Sequence, residues 1–339
     1  MNIIKEVIPS DDIEKLTIKL GGDCNLNCKH CHCSVPEYKY NPDIIRWIKG
    51  CKNLKSINFN GGEPLLYINT IKEIVSQFSY YDYIFKTVTN GTLLNMEKIE
   101  FFNDHFFHVA ISYDGEDSKR DSSHLPRWEL ARYLRNLSFS IYTSGSLNIR
   151  KIQKDVDTLI YNYHLRNVNN DGSICANFIH ETDSANVVRT EKDVEEYLSC
   201  MQEFIEEQLW FYLKDDYFID KFALRNSIRK WYFPKDSAYG VSCACSKVVT
   251  ISLDGRFLGC PYTNEYYGDI YTGFDVKKIE SQIPGRCRNC KIFNVCRNTC
   301  FKNTTDHECI IAKRMYAFFK NLEKKYSVNF NEIFEKEYV

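Results

Sequence analysis

KLTIKLGGDCNLNCKHC, residues Lys15–Cys31, decides how this chain is read. Lys15–Leu20 alternates polar and apolar side chains, the period of a strand with one face buried. A polar loop with Cys24, Cys28 and Cys31 follows at once. The same unit recurs downstream. Ser56–Asn60 predicts a second strand, ended by Gly61-Gly62-Glu63-Pro64 and followed by a helical pattern over Ile68–Phe78. Phe85–Thr89 predicts a third strand, ended by Asn90-Gly91, and His108–Tyr113 a fourth, ended by Asp114-Gly115. Arg127–Leu137 has helical spacing, Phe139–Thr143 reads as a fifth strand, Ile149–Tyr163 as a helix and Ile174–Ile179 as a sixth strand. Alternation of this kind implies βαβ units and a parallel sheet. The expected fold class is α/β, a partial (β/α)6 TIM-like barrel rather than the complete eight-unit one. All the motif-bearing loops follow strand C-terminal ends, the edge where such sheets place their chemistry.

Farther out, Glu191–Lys214 is an amphipathic helix pattern, and 215–239 is aromatic and charged without a clear period. Its aromatics, with Trp210, Trp231, Tyr232 and Phe233, fit a domain interface or a peptide groove. From Val241 the composition turns to Cys, Gly and short strands: Val248–Leu253, an Asp254-Gly255 turn and Arg256–Cys260 predict a hairpin. Ile310–Lys325 closes the pattern as a helix. The expected division is a barrel over 10–215, a bridge over 216–240, a small cysteine-rich domain over 241–312, and a C-terminal helix and tail over 313–339. A net charge of −1 over 339 residues gives no footprint for nucleic acid. No apolar run reaches the ~20 residues a membrane span needs. Residues 1–13 mix Lys, Glu and Asp with Ile and Pro, unlike a secretory signal, so a cytoplasmic location is expected.

Fifteen cysteines are unevenly spread: four fall within Cys24–Cys33, eight within Cys243–Cys309, and Cys51, Cys175 and Cys200 stand apart. In a reducing compartment such clusters read as metal binding or catalysis rather than disulfides. Three thiolates from one loop can hold three corners of a four-iron cluster and leave one iron free for a small chelating molecule. Structural zinc is the alternative, with His30, His32 or Cys33 completing a tetrahedral site. In the tail, Cys287-x2-Cys290 and Cys296-x3-Cys300 admit a zinc reading too. The three isolated cysteines fit buried small hydrophobes. Cys33, beside the first cluster loop, is a candidate hydrogen donor.

The C-x3-C-x2-C loop, with GGEP at 61–64, Thr89-Asn90-Gly91 and Ser112-Tyr113-Asp114-Gly115 in that order, resembles the radical S-adenosylmethionine (SAM) enzymes. The resemblance implies a [4Fe–4S] cluster on Cys24, Cys28 and Cys31 whose open iron binds SAM. It also implies SAM contacts from Gly61, Gly62, Glu63, Asn90 and Ser112, with Arg120 and Arg127 both candidates for the SAM carboxylate. The tail, Cys245-x9-Gly255-x4-Cys260 followed by Cys287, Cys290, Cys296, Cys300 and Cys309, resembles the SPASM auxiliary-cluster domain. That likeness implies one auxiliary [4Fe–4S] cluster on Cys243, Cys245, Cys260 and Cys300 and a second on Cys287, Cys290, Cys296 and Cys309, three clusters in all.

Relatives of this kind cleave SAM reductively to a 5′-deoxyadenosyl radical and abstract hydrogen from a peptide. The expected function is a maturase of a ribosomally made peptide, forming a thioether or carbon–carbon crosslink or an epimer. A reducing flavodoxin or ferredoxin is the implied partner. Only 23 residues precede Cys24, so precursor recognition is expected from the barrel, the bridge or a separate precursor-recognition protein as a further partner. The enzymatic alternative is an anaerobic sulfatase maturase forming formylglycine. Pro261 argues against it, because that family places an acidic residue after the Cys of its Gly-x4-Cys element. The non-enzyme alternative is a zinc-bound cysteine-rich scaffold.

Overall fold

The computed structural model describes residues 11–28, 31, 36–79, 82–113, 115, 121, 123–140, 149–165, 190–214, 224, 227–228, 231–233, 247–259, 265–281, 283–296 and 306–335. Five strands alternate with helices in its first part: β1 (Lys15–Lys19), α1 (Asp43–Gly50), β2 (Ser56–Asn60), α2 (Ile68–Val75), β3 (Ile84–Thr89), α3 (Met96–Asp104), β4 (His108–Ser112), α4 (Trp128–Ala131), β5 (Leu137–Ser140) and α5 (Ile149–Tyr163). All neighbouring pairs among these strands are parallel. The α/β alternation read from the sequence is therefore the observed fold. The sixth expected strand, Ile174–Ile179, lies outside the described residues.

One boundary differs. Helix was expected over Arg127–Leu137 because Trp128, Ala131 and Leu134 recur every third residue. Here α4 stops at Ala131 and β5 begins at Leu137. Those three side chains are buried, but only the first turn is helical. Beyond it the Asn136 carbonyl accepts the Val109 N–H, and Leu137 and Phe139 take up the two-residue period of a strand beside β4.

The tail joins the same sheet. β6 (Val248–Ser252) pairs in parallel with β1, Lys15 opposite Val248 and Lys19 opposite Ser252. β7 (Arg256–Leu258), β8 (Tyr266–Asp269) and β9 (Gly273–Phe274) follow antiparallel, giving the order β5-β4-β3-β2-β1-β6-β7-β8-β9 among the described strands. The β6–β7 turn holds Gly255 at φ +86°, and a Cβ there would stand 3.0 Å from the Ile270 side chain. Glycine meets both demands.

The two faces of the parallel strands differ. Leu16, Ile18, Ile57, Phe59, Phe85, Val109, Ile111, Phe139, Val249 and Ile251 bury one face against the helices. Phe59, Phe85 and Phe107 stack there with centroids 5.4–6.3 Å apart. Each such pair adds about 0.5–1.5 kcal/mol beyond its buried area. The opposite face carries Thr17, Lys19, Asn58, Asn60, Lys86, Ser112, Ser140, Thr250 and Ser252. Parallel strands packed on both faces read as continuous apolar runs. A polar second face instead suits an interior that holds a ligand.

A second core forms around α6 (Glu191–Leu213) and α9 (Asp306–Tyr326). Thr190 and Asp193 close a capping box at the start of α6. Tyr197, Phe204, Ile205 and Leu209 pack against Ile311, Met315 and Phe319. Leu224, Ile228 and Trp231, from the aromatic bridge segment, are buried in the same core. Three short helices complete the tail: α7 (Val276–Ser281), α8 (Gly285–Arg288) and α10 (Phe330–Glu335). Among the described residues no helix is long and apolar enough to cross a membrane.

Candidate functional site

The chain leaves β1 through Gly21, Gly22 and Asp23 and meets the Gly61–Pro64 turn at the end of β2. Gly62 N–H donates to the Gly21 carbonyl at 2.9 Å and Glu63 N–H to the Asp23 carbonyl at 2.7 Å. A Cβ on Gly62 would stand 2.2 Å from the Asp23 oxygen and 2.3 Å from that of Gly22. One on Gly21 would stand 2.2 Å from the Tyr67 hydroxyl, which accepts the Asp23 N–H at 3.2 Å. These glycines are what lets the two loops lie backbone on backbone. On Gly61 a Cβ would come to 3.2 Å from the Gly21 oxygen, tight but less severe.

The Glu63 side chain is buried at 1% exposure. Its Oε1 accepts the Leu65 N–H at 3.0 Å and the Thr89 hydroxyl at 2.6 Å, and its Oε2 accepts the Asn90 N–H at 2.7 Å. A buried carboxylate must be met by donors, and these come from the turn's own helical start and from the end of β3. Glu63 thus ties the β2 loop to the β3 loop.

Asn90 carries the connection to the cysteines. Its amide donates to the Asn25 side-chain oxygen at 3.0 Å and lies 3.9 Å from the Cys24 sulfur. Its oxygen accepts the Thr92 N–H and hydroxyl at 3.0 and 2.8 Å, and Asn25 donates to that same hydroxyl at 2.8 Å. Ser112 is buried at the end of β4, opposite Ser140 of β5. Arg127 Nε donates to the Thr92 carbonyl at 3.2 Å. Arg120 lies outside the described residues.

Cys24 and Cys31 are exposed and Cys28 half-buried. Partial burial pushes the Cys24 thiol up, with the Glu63 charge adding to it. A bound metal overcomes that shift by binding the thiolate. The Leu26 N–H points at the Cys24 sulfur at 3.4 Å and the Asp121 N–H at the Cys28 sulfur at 3.3 Å. Backbone N–H groups aimed at sulfur are what thiolate ligands of an iron–sulfur cluster accept, so the loop fits that group. Asp121 was not singled out from the sequence. Its carboxylate also accepts the Asn27 N–H at 2.8 Å, and this bond, with those from Ser123, holds its carboxyl down at about 2.

A second gathering of thiols lies in the tail. Cys287, Cys290, Cys296 and Cys309 line one cavity of about 130 Å³, with Arg286, Asp306, Lys313, Ile292, Phe293 and Ala312. Cys287 is on α8, Cys309 on α9, and Cys290 and Cys296 on the turns between. Burial pushes the Cys309 thiol up. Among the described residues no three Cys, His, Asp or Glu side chains converge on a single ion. Four thiols on one cavity fit a group with four sulfur ligands, an iron–sulfur cluster or a zinc ion. Cys243, Cys245, Cys260 and Cys300 lie outside the described residues, as do Cys33 and Cys175. Cys51 is buried, with its thiol 3.4 Å from the Trp47 carbonyl, and Cys200 is half-buried.

Residues 18–170 match the family model of the radical SAM superfamily. A cysteine-type anaerobic sulfatase-maturating enzyme of Clostridium novyi is 23% identical over 374 aligned residues, covering 90% of this chain and 94% of its own. Two further curated relatives match over 114 and 137 residues, and those matches span 40% and 29% of their lengths. Among solved structures, that of native anSMEcpe with bound AdoMet and Cp18Cys peptide aligns with a TM-score of 0.61 at 18% identity, covering 93% of this chain and 100% of the other. That of Streptococcus suis SuiB bound to precursor peptide SuiA aligns at 0.51 and 14%, covering 87% and 72%. These likenesses show a shared fold.

Proposed function

We propose that this chain, whose residues 18–170 form a radical SAM domain, is a maturase that abstracts hydrogen from a ribosomally made peptide and leaves a thioether or carbon–carbon crosslink or an epimer. One observation carries the reading. The loop after β1 that bears Cys24, Cys28 and Cys31 lies backbone on backbone, at Gly21 and Asp23, with the Gly-Gly-Glu-Pro turn after β2, and Asn90 after β3 reaches it at Cys24 and Asn25. In the proposed site Cys24, Cys28 and Cys31 hold a [4Fe–4S] cluster. Gly61, Gly62, Glu63, Asn90 and Ser112 are assigned to SAM. Glu63 keeps the turn in place through its bonds to Thr89 and Asn90. When bound, cluster and SAM together supply one-electron cleavage and a 5′-deoxyadenosyl radical.

Cys287, Cys290, Cys296 and Cys309 hold an auxiliary cluster in the tail cavity, with Arg286 and Lys313 offsetting its negative charge. Cys243, Cys245, Cys260 and Cys300 are assigned to the other. On this reading the barrel covers 10–215 and the cluster-bearing tail 241–312. A flavodoxin or ferredoxin delivers the electron. The peptides named with the anSMEcpe and SuiB structures support a peptide substrate.

Anaerobic purification with iron, sulfide and zinc analysis tests the proposal, followed by a SAM-cleavage assay with dithionite. About twelve irons per chain are expected, with 5′-deoxyadenosine formed on reduction. Zinc without iron, and SAM left intact, overturns the reading in favour of a zinc scaffold. The near full-length match to the sulfatase-maturating enzyme favours a second reading, formylglycine formation. An aldehyde appearing in a sulfatase-derived cysteine peptide, detected by hydrazide labelling, decides for it. Pro261, where that family carries an acidic residue, sets the expectation of no aldehyde.

A further inference from the structure

We propose that Asp121 is a positioning residue for the cluster loop, gripping it from the β4 side. The inference rests on Cys24, Cys28 and Cys31 being cluster ligands, as above. Asp121 touches the loop twice, across more than ninety residues of chain. Its Oδ2 accepts the Asn27 N–H at 2.8 Å, and its own N–H donates to the Cys28 sulfur at 3.3 Å. Its Oδ1 accepts the Ser123 N–H at 2.9 Å, closing a local turn that fixes the direction of the Asp121 amide. The far side of the loop is held by Asn90 and Thr92 through Asn25. The loop's two asparagines thus tie it to two different segments, Asn25 to the loop after β3 and Asn27 to the segment after β4.

The chemistry follows from the sulfur. Thiolates on an iron–sulfur cluster carry excess negative charge, and an N–H directed at one of them withdraws density and raises the reduction potential. Groups that orient ligands without touching the metal commonly change metal affinity ten- to a hundredfold. Without its carboxylate, Asp121 loses both Asn27 and the turn that aims its N–H. The loop then loses its bond from Asn27 to the segment after β4, and the Asp121 N–H is no longer held toward the Cys28 sulfur.

The test uses the full chain, reconstituted anaerobically. The loop's share of iron is the part that a Cys24→Ala/Cys28→Ala/Cys31→Ala variant lacks. In Asp121→Ala that share is expected to pass to a ferrous chelator about tenfold faster than in the parent. The midpoint potential of the paramagnetic signal that responds to added SAM is expected to fall. Asp121→Asn keeps one oxygen, enough for the Asn27 N–H or the Ser123 N–H but not both, and is expected to fall between the parent and Asp121→Ala in both readouts. Should Asp121→Ala not fold by circular dichroism, Asp121→Ser replaces it: its side chain is too short to reach Asn27, so the faster iron loss is expected again, while its hydroxyl can keep the Ser123 turn and hold the potential nearer the parent. Iron loss and potential equal to the parent in the truncated variant overturn the proposal. So does an Asp121→Asn variant that behaves like the truncation. A parent chain with no iron on this loop sinks the ligand assignment itself, a different failure, and the inference falls with it.

Discussion

The two places where cysteines gather are built in opposite ways. On the loop after β1, three thiols lie within eight residues and two of them are exposed. Their positions are set from outside, by the loops after β2, β3 and β4. In the tail, four thiols spread over 23 residues of sequence wall a cavity, with Cys287 buried and the other three half-buried. Their positions come from α8, α9 and the turns between. A loop with three ligands leaves room for a second molecule, and a set of four can close a cluster by itself. On the proposed reading, reaction belongs to the first, and holding or relaying charge to the second.

The strongest way to break this contrast is to remove one ligand from each side. Cys28→Ala should cost about four irons per chain and abolish 5′-deoxyadenosine formation. Cys290→Ala should cost about the same iron and stop peptide product, yet lower SAM cleavage far less than Cys28→Ala does. Equal loss of SAM cleavage in both variants would erase the division of labour.

Packing offers a finer test. Gly62→Ala drives a methyl into two carbonyl oxygens and should cost about 1–3 kcal/mol in a urea melt, in the range of overpacking. Gly285, at the start of α8, has nothing within 4 Å of a Cβ. Its alanine variant should stay within about 0.5 kcal/mol of the parent. If both variants melt alike, the tight apposition of the first two loops is not what the glycines secure. Between these lies Glu63→Gln. It places an amide N–H₂ where a carboxylate now takes three donors and should cost about 1–3 kcal/mol. Thr89→Val should cost part of that, read in the same melts.

Much of this was legible from local pattern. A two-residue period in KLTIK and SINFN marks β1 and β2, and the motif loops follow the strand ends as expected. The resemblance of the tail to the SPASM domain, rather than spacing alone, grouped Cys287, Cys290, Cys296 and Cys309, four residues that line one cavity. Local pattern failed where a short segment satisfied two periods at once, as 127–137 did, and where the partner is distant. Nothing near Val248–Ser252 marks β1 as its neighbour across 230 residues. Asp121 was invisible for a related reason: one aspartate in a polar loop carries no periodic signal. The nearest clue was Asp121-Ser122-Ser123, a sequence suited to a side-chain-to-backbone turn. It could suggest the turn but not Asn27 or Cys28.

The pairing of β6 with β1 also sets an order of events during synthesis. β1 emerges from the ribosome early, yet its second neighbour is complete only at Ser252. Until then the strand that carries the first cysteine loop presents an unpaired edge, the kind of surface that recruits other chains. Contacts of such long sequence separation also form slowly. A chain stopped before residue 248 would carry every residue of the first loop and still expose that edge for good, so aggregation, rather than a working half-enzyme, is what truncation of this protein should yield.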